Sequence, residues 1–298
     1  MFGTLRTDPK LTFNKNEFFV ERSSNTKRFS ISGVQPKLLI KATQEKLDTT
    51  DCHGEFILKP SPIEYPELSE NEFLTMHINK MLGVKVPHMA LVQFTDGELA
   101  YLVKRFDRER TYKLHCEDMA QAMDIDKDEA ENYKYESKSY EEVCHFIRQN
   151  YSKADAFELF NRVFINYMTG NNDFHLKNIS VLAGKSSIYT ISPAYDCVNA
   201  AIYFDDNEIA MDLYDGYTDE FPFSLLGFIS KANFDELANR IEMPLAYRET
   251  IYENYLDNYQ VITDFIANSI LSKEQKDKYL VKLADRLRKF QTALPGEA

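Results

Sequence analysis

The chain has 298 residues, 44% of them apolar and 28% charged, which is the composition of a globular protein with a substantial core. Acidic residues outnumber basic ones and the net charge is −12, which opposes direct binding to nucleic acid or to an anionic membrane. The four cysteines lie far apart, so neither a disulfide framework nor a zinc cluster is predicted. The N-terminus has no apolar leader, and no apolar run reaches the ~18 residues of a spanning helix. A cytoplasmic protein is therefore predicted.

The first hundred residues predict mainly β-strands. Residues 37–42 and 55–59 are short β-like runs, and the polar stretch between them predicts a hairpin turn. Residues 89–94 and 99–105 predict a second hairpin, because the turn residues Asp96 and Gly97 separate them.

One helix is predicted among these strands, over residues 68–82, where apolar side chains recur at helical spacing. Ser69 is a predicted N-cap, with Glu72 three residues later in the pattern of a capping box. Gly83 is the predicted stop signal of this helix.

From about Leu114 the pattern becomes mostly helical. Helices are predicted over 115–123, 139–151, 154–170 and parts of 221–290, and short strands over 179–182 and 187–191. The polar stretch 124–138 predicts a solvated loop. The change of pattern falls near residues 106–108. We therefore expect an α+β protein with a small β-rich lobe over 1–106 and a larger helical lobe over 107–298, an architecture that could hold a ligand between the lobes.

The strongest chemical signal is the run that contains Asp173, with Asn178 five residues later and Asp196 beyond two predicted strands. Phosphoryl transfer from ATP needs a carboxylate that orients the attacking hydroxyl, together with Asp and Asn oxygens that bind Mg²⁺. An isolated Asn-Asn-Asp after Gly170 would indicate only a turn. The combined spacing favours Asp173 as the catalytic base and Asn178 and Asp196 as metal ligands.

Three weaker signals lie in the predicted small lobe. Residues 30–37, with Ser30 and Ser32, lie between β-like segments and could cradle phosphate, although the run has one Gly and also fits a plain turn. Lys59 ends a predicted strand, from which a lysine could reach phosphate groups. Glu72 could pair with Lys59 or could serve only in the capping box, and the sequence leaves this open. Residues 102–108 lie where a hinge would bind adenine.

Seven runs in order resemble the HipA family of bacterial toxin kinases. They are SISGVQPKLL (30–39), FILKP (56–60), NEFLTMHINKMLGVKVP (71–87), LVKRFDR (102–108), LHCEDMAQAM (114–123), NDFHLKNIS (172–180) and SPAYDCVNA (192–200). The resemblance implies a two-lobed protein-kinase-like fold, of the type that forms the C-terminal part of HipA. It also implies a serine/threonine protein kinase that uses ATP and Mg²⁺.

The same resemblance implies roles for individual positions. ATP-binding residues would be Ser32, Gly33, Val34, Gln35, Pro36, Lys37, Lys59, Lys104, Arg105, Phe106, His175 and Tyr195. Asp173 would be catalytic, and Asn178 and Asp196 would hold the metal. Ser30 matches the serine that HipA kinases autophosphorylate, and Ser32 is a second candidate. A phosphate there would add about −1.5 to −2 charges beside the triphosphate site and drive the loop out.

Two departures refine the resemblance. Only about thirty residues precede the serine-containing run, whereas HipA proteins have a longer N-terminal subdomain, and this resembles the shortened HipT kinase of three-part HipBST systems. Cys116 stands where many members have Gln, which puts a nucleotide contact at that position in doubt.

The resemblance implies that the phosphate acceptor is a Ser of a protein, an aminoacyl-tRNA synthetase. It also implies two partners, a HipB-like DNA-binding antitoxin and a small HipS-like protein. Two other functions stay open at this point. One is a phosphotransferase that acts on a small hydroxyl compound, and the other is a non-catalytic regulator that binds ATP. The intact Asp173, Asn178 and Asp196 argue against the regulator.

Overall fold

The fold was analysed in a computed structural model, which describes residues 10–24, 35–43, 46–109, 112–126, 132–184, 188–204 and 207–293. Four residues with predicted roles, Ser30, Ser32, Gly33 and Val34, lie outside the described residues.

The small lobe is built on a six-stranded sheet. Its strands are β1 (Lys10–Leu11), β2 (Leu38–Ala42), β3 (Lys46–Thr49), β4 (Phe56–Pro60), β5 (Met89–Gln93) and β6 (Leu99–Lys104). The order across the sheet is β1-β3-β2-β4-β6-β5. Every neighbouring pair is antiparallel except β1 and β3. Ile40, Leu58 and Leu102 are fully buried in one apolar cluster, and the neighbouring β6 residues Tyr101 and Val103 belong to a second, so β6 is buried on both faces.

Two helices belong to this lobe, α1 (Lys15–Ser24) and α2 (Leu68–Met81). Phe18 of α1 is fully buried in an apolar cluster with Leu47 and Leu58 from the sheet. α2 ends just before Gly83, whose φ of 86° is the left-handed conformation that glycine adopts without strain. The predicted helix and its stop signal are therefore confirmed.

The predicted capping box at Ser69 is wrong. α2 begins one residue earlier, after Glu67, and Ser69 is fully buried inside its first turn. The Ser69 hydroxyl donates to the Lys59 carbonyl at 2.8 Å, and the Ser69 N–H donates to the Ser61 hydroxyl at 2.9 Å. Ser69 thus ties α2 to the end of β4, a tertiary use of a serine that local spacing does not reveal.

The strand predictions are confirmed in part. The hairpin of β5 and β6 forms as expected, and β2 and β4 pair antiparallel. The stretch between β2 and β4 was predicted as a simple turn but contains β3, so that prediction is wrong. β3 has only one fully buried side chain, Leu47, and a single apolar residue gives little alternation to detect.

The larger lobe is mainly helical. Its helices are α3 (Met119–Ala122), α4 (Tyr133–Glu136), α5 (Tyr140–Asn150), α6 (Lys153–Met168), α7 (Phe223–Leu226), α8 (Lys231–Arg240), α9 (Leu245–Ala267) and α10 (Lys273–Phe290). Its strands are β7 (Arg108–Glu109), β8 (Tyr112–Lys113), β9 (Cys116–Asp118), β10 (Ser180–Ala183) and β11 (Tyr189–Ile191). β9, β10 and β11 form an antiparallel sheet, and 3₁₀ turns occupy Leu176–Asn178 and Ala200–Ile202. Within the described ranges, no helix is both long and apolar enough to cross a membrane.

Two predictions for this lobe need correction. The predicted helix 115–123 begins as the strand β9, because residues 116–118 pair with β10, and turns helical only at Met119. The stretch 124–138, predicted as a solvated loop, includes the helical turn α4. The predicted helices corresponding to α5 and α6 are confirmed, and α6 is the central helix of the lobe, with Phe160, Phe164 and Tyr167 fully buried.

A pair of buried asparagines joins the two lobes. The Asn71 side-chain amide donates to the Asn199 carbonyl at 3.0 Å, and the Asn199 N–H donates to the Asn71 side-chain oxygen at 2.9 Å. Both residues are fully buried. This link fixes α2 of the small lobe against the segment that follows Asp196 in the large lobe.

Candidate active site

Lys59 lies at the centre of a buried ion-pair network. Its ammonium group is 2.6 Å from Glu72 Oε1 and also contacts Asp196 Oδ1. The Lys59 and Glu72 side chains are only 7% and 4% exposed, so water screens this pair little. The sequence left open whether Glu72 pairs with Lys59, and the structure shows that it does. A strand lysine paired with a helix glutamate is a recurring feature of protein kinases.

Burial and mutual charge shift the pKa values of all three groups in this network. Burial would lower the pKa of Lys59, but Asp196 and Glu72 outweigh burial and raise it above its ordinary value. Burial also opposes the ionised form of Asp196, yet Lys59 and Lys37 hold its pKa down at about 2. Burial raises the pKa of Glu72 to about 7 in spite of Lys59, and the charge of Asp196 adds to the rise. Of the two carboxylates that share Lys59, Asp196 is therefore the more acidic.

The Asp173 loop follows α6 and is shaped by Gly170. Its φ of 76° is left-handed, and a Cβ there would lie 2.6 Å from Asn199 Oδ1, so only glycine fits. The Asp173 N–H donates to Asn171 Oδ1 at 3.1 Å, and the Asn178 amide donates to the Asp173 carbonyl at 2.7 Å. Since the Asn178 nitrogen is used inside the loop, its side-chain oxygen is the atom left for a ligand.

The Asp173 carboxylate is half-exposed, with 49% of its side chain accessible. The Tyr135 hydroxyl donates to Asp173 Oδ1 at 2.5 Å. His175 Nε2 lies 3.7 Å from the same oxygen, too far for a hydrogen bond. Burial lowers the pKa of His175 to about 4, so its ring is neutral near pH 7. Within the described residues, His175 Nδ1 is buried without a hydrogen-bond partner.

One cavity of about 1130 Å³ brings these groups together. Its walls include the predicted site residues Gln35, Lys37, Asp173, His175, Asn178 and Asp196, together with Glu72 and Tyr135. The residues come from both lobes, so the cavity is the cleft between them.

A divalent metal ion fits the donor set at one end of this cleft. Asn178 offers an amide oxygen and Asp196 an ionised carboxylate, which are the oxygen ligands that Mg²⁺ prefers. Asp196 has a left-handed backbone with φ of 57°, a conformation that Asp and Asn adopt more readily than most other residues with a side chain. Its carboxylate contacts Lys59.

The segment that leads into β2 is described only from Gln35 onward. Pro36 is buried, and Lys37 is half-buried on the cleft wall. Burial lowers the pKa of Lys37, although the nearby Asp196 opposes this. Lys37 therefore adds a second cation beside Lys59 at the same end of the cleft.

The predicted hinge residues do not line the described cavity wall. The N–H groups of Lys104 and Arg105 already donate to the carbonyls of His88 and Glu55 at 2.8 Å each. The Arg105 guanidinium forms a two-pronged bond with Asp107, at 2.9 and 2.7 Å.

Phe106 packs on Tyr195, with ring centroids 5.6 Å apart. The Tyr195 hydroxyl is used within the protein, because it shares a 2.5 Å hydrogen bond with Ser180 and donates to the Lys177 carbonyl at 2.8 Å. An adenine contact by Tyr195 would therefore have to come from its ring.

Tyr135 is the cleft residue that the sequence analysis missed. It lies on α4, inside a stretch rich in charged residues, and no spacing rule connects it to Asp173. The one signal that could have drawn attention is the pair of tyrosines, Tyr133 and Tyr135, in an otherwise polar run.

Comparison with known proteins is consistent with this geometry. The model of the HipA-like C-terminal domain family matches residues 29–289. The chain belongs to this family, as the sequence runs predicted.

Two curated relatives carry names that bear on function. A provisionally named kinase of Haemophilus influenzae is 40% identical over 207 residues, which are 66% of this chain and 60% of that protein. The serine/threonine-protein kinase toxin HipA of Shewanella oneidensis is 29% identical over 212 residues, 64% of this chain and 48% of that protein. The chain thus spans about half to three-fifths of the length of these relatives.

Solved structures show the fold. The Shewanella oneidensis complex of HipA, HipB and operator DNA matches with a TM-score of 0.72 and 22% identity, over 96% of this chain and 72% of that one. The Helicobacter pylori proinflammatory kinase CtkA matches with a TM-score of 0.53 and 17% identity, over 80% of this chain and 89% of that one. The α+β, two-lobed kinase-like fold is confirmed.

Proposed function

We propose that the chain is a HipA-type serine/threonine protein kinase that transfers the γ-phosphoryl group of ATP to a serine of a protein. The observation that carries this proposal is the cleft whose wall contains Asp173, Asn178, Asp196 and Glu72. Lys59 is buried next to this wall, paired with Glu72 and Asp196. These are the groups that phosphoryl transfer needs: an acceptor-side carboxylate, metal ligands, and a lysine for the phosphates.

The proposed roles follow from burial and charge. Lys59 and Lys37 attract the nucleotide phosphates, and Glu72 holds Lys59 in place. Asn178 and Asp196 would hold Mg²⁺, which would neutralise phosphate charge as the reaction proceeds. The family resemblance proposes Lys104, Arg105 and Phe106 as the adenine hinge. The N–H groups of Lys104 and Arg105 are already bonded, so other groups of these residues would have to contact adenine. The division into a nucleotide-binding lobe over 1–106 and a catalytic lobe over 107–298 is proposed on the same basis.

Asp173 orients the acceptor hydroxyl and takes its proton. The bond from the hydroxyl oxygen to the γ-phosphorus forms while the bond to the bridging oxygen of ADP breaks, and the electron pair of that bond leaves with ADP. The half-exposed carboxylate suits this role, since it can meet a group from another molecule.

The identity of partners rests on the family. The Shewanella oneidensis structure contains HipA with HipB and operator DNA. By extension, we propose a HipB-like DNA-binding antitoxin as a partner, which suits a chain of net charge −12 that would leave DNA contact to another protein. A HipS-like small protein and an aminoacyl-tRNA synthetase as the acceptor are proposed from the sequence resemblance to HipT and HipA alone.

The test uses radiolabelled ATP with Mg²⁺, and label is followed on the chain itself and on proteins of a cell extract. Asp173→Asn should lower transfer by about a hundredfold or more, because it removes the proton acceptor at nearly constant shape. Asp215→Asn is the matched control, an exposed aspartate of the same cavity wall, and should transfer like wild type. Transfer that survives Asp173→Asn would remove the assigned base. Label on small molecules alone would favour the small-hydroxyl phosphotransferase, and ATP binding without transfer would favour the regulator.

Autophosphorylation at Ser30 or Ser32 is a separate part of the proposal. Ser30→Ala combined with Ser32→Ala should lower self-labelling sharply, because it removes both candidate acceptor hydroxyls. Unchanged self-labelling in the double variant would place the modified residue elsewhere.

A further inference from the structure

The Tyr135 hydroxyl is bonded to the carboxylate of Asp173, the proposed general base. A general base must lie within about 2.6–3.2 Å of the hydroxyl whose proton it takes. The Tyr135 hydroxyl already lies 2.5 Å from Asp173 Oδ1, inside the cleft that also holds Asn178 and Asp196. An internal hydroxyl thus stands where the acceptor hydroxyl of a substrate has to stand.

The surroundings of Tyr135 favour its hydrogen bond to Asp173. The Tyr135 ring meets the His175 ring edge-to-face at a centroid distance of 4.9 Å. Because burial keeps His175 uncharged near pH 7, this neighbour offers Asp173 no competing ion pair. Burial and the hydrogen bond to Asp173 both raise the pKa of Tyr135, so the phenol stays protonated and remains a donor.

The helical turn α4, which carries Tyr135, has no fully buried side chain. α4 is a single turn of four residues, none of which is buried. Tyr135 itself is half-exposed. If this turn moved aside, the contact of the partly buried Tyr133 with the core would be lost, but no fully buried side chain of the turn would be exposed. A turn held in this way opens more easily than a core helix.

We propose that the acceptor hydroxyl binds at the point now filled by the Tyr135 hydroxyl, and that Tyr135 competes with it for Asp173. Tyr135 is then a residue that determines acceptor affinity and protects the site from water until an acceptor displaces it. This inference rests on the proposed kinase function and adds the location of the acceptor site to it.

A hydrogen bond to a charged group is among the stronger ones in proteins, and losing this competitor should favour an external hydroxyl by about tenfold. Tyr135→Phe keeps the ring on His175 and removes only the hydroxyl. Tyr133→Phe is the matched control, because it removes a phenol hydroxyl from the same turn and Tyr133 lies outside the cavity wall.

The experiment measures ADP release from ATP and Mg²⁺ by the full chain, first with water as the acceptor and then over a range of casein concentrations. Tyr135→Phe should hydrolyse ATP about tenfold faster than wild type and should lower the KM for casein with kcat nearly unchanged. Tyr133→Phe should match wild type in both. If casein does not increase ADP release, the rate of ATP hydrolysis alone decides.

Three outcomes would overturn the inference. A lower kcat with unchanged KM in Tyr135→Phe would mean that Tyr135 positions Asp173 for catalysis. Equal behaviour of the two Phe variants and wild type would mean that the hydrogen bond has no bearing on the acceptor. Both of these leave the kinase function standing. No ADP release by wild type that binds ATP would remove the function and this inference together.

Discussion

The two ends of the cleft are built differently. At one end, the Lys59 and Glu72 side chains are almost completely buried and joined by ion pairs. At the other, Asp173 is half-exposed and is contacted by a helical turn without buried residues. The proposed nucleotide end is therefore held by buried ion pairs of the fold, whereas the proposed acceptor end depends on one hydrogen bond from an exposed turn. Changes at the first end should cost stability, and changes at the second should mainly alter turnover.

Lys59→Met tests the buried end and should have the largest effect on stability. It leaves two carboxylates, Glu72 and Asp196, without their cation, and breaking a buried pair in this way typically costs about 3–5 kcal/mol. The free energy of unfolding is measured by urea denaturation.

Asp173→Asn is the comparison variant for this measurement. Because its carboxylate is half-exposed and makes no buried ion pair, its unfolding free energy should stay within about 0.5 kcal/mol of wild type. Equal losses in the two variants would remove the contrast between the two ends of the cleft. Adding Glu72→Gln to Lys59→Met should restore part of the loss, since one unpaired charge is then gone.

His175 should make the folding stability of the protein depend on pH. Its pKa is about 4 in the folded protein, below the ~6.5 of an unfolded chain. Between these values the unfolded state binds more protons, so folding stability falls as pH drops from ~6.5 toward 4. His175 should account for a loss on the order of 3 kcal/mol across that range.

The measurement compares urea denaturation of wild type and His175→Gln at several pH values. The variant should lose less stability than wild type on acidification, whatever its stability at pH 7. Parallel curves for the two proteins would contradict a neutral, buried His175.

Gly170→Ala should have the smallest effect of the three. Alanine at φ of 76° is strained, and its Cβ would lie 2.6 Å from Asn199 Oδ1. Gly216→Ala is the matched control, because its φ of 73° brings the same backbone strain but no atom lies within 4 Å of the added carbon. Both variants should lose about 1 kcal/mol from strain, and Gly170→Ala should lose about 1–2 kcal/mol more from the clash. Thermal or urea denaturation of both variants gives the difference.

The sequence predicted those parts of the site that lie close together along the chain. Asp173 and Asn178 are joined by a short loop whose own hydrogen bonds hold them, so their spacing carries the geometry. The helix α2 and the hairpin of β5 and β6 were predictable for a similar reason, since periodicity and turn residues act locally.

Other parts could not be predicted, because distant contacts decide them. Glu72 lies three residues after Ser69, which fits a capping box, but the same position also allows an ion pair with Lys59. Only the tertiary packing of α2 against β4 decides between the two roles. β9 carries a helix-like sequence and becomes a strand because it pairs with β10. Tyr135 reaches Asp173 from 38 residues away, and a polar stretch gives no hint of that distance.

The buried pair Asn71 and Asn199 has a consequence for how the cleft can move. Asn199 is bonded through its main chain to α2, its side chain lies against Gly170, and the N–H of Ala201 donates to the Gly170 carbonyl at 3.0 Å. Elements from both lobes and the loop that precedes Asp173 therefore meet at one junction. We therefore expect a rotation of the lobes to pivot near this junction, so that the cleft widens mainly at its opposite rim and the separation of Glu72 and Asp196 changes little.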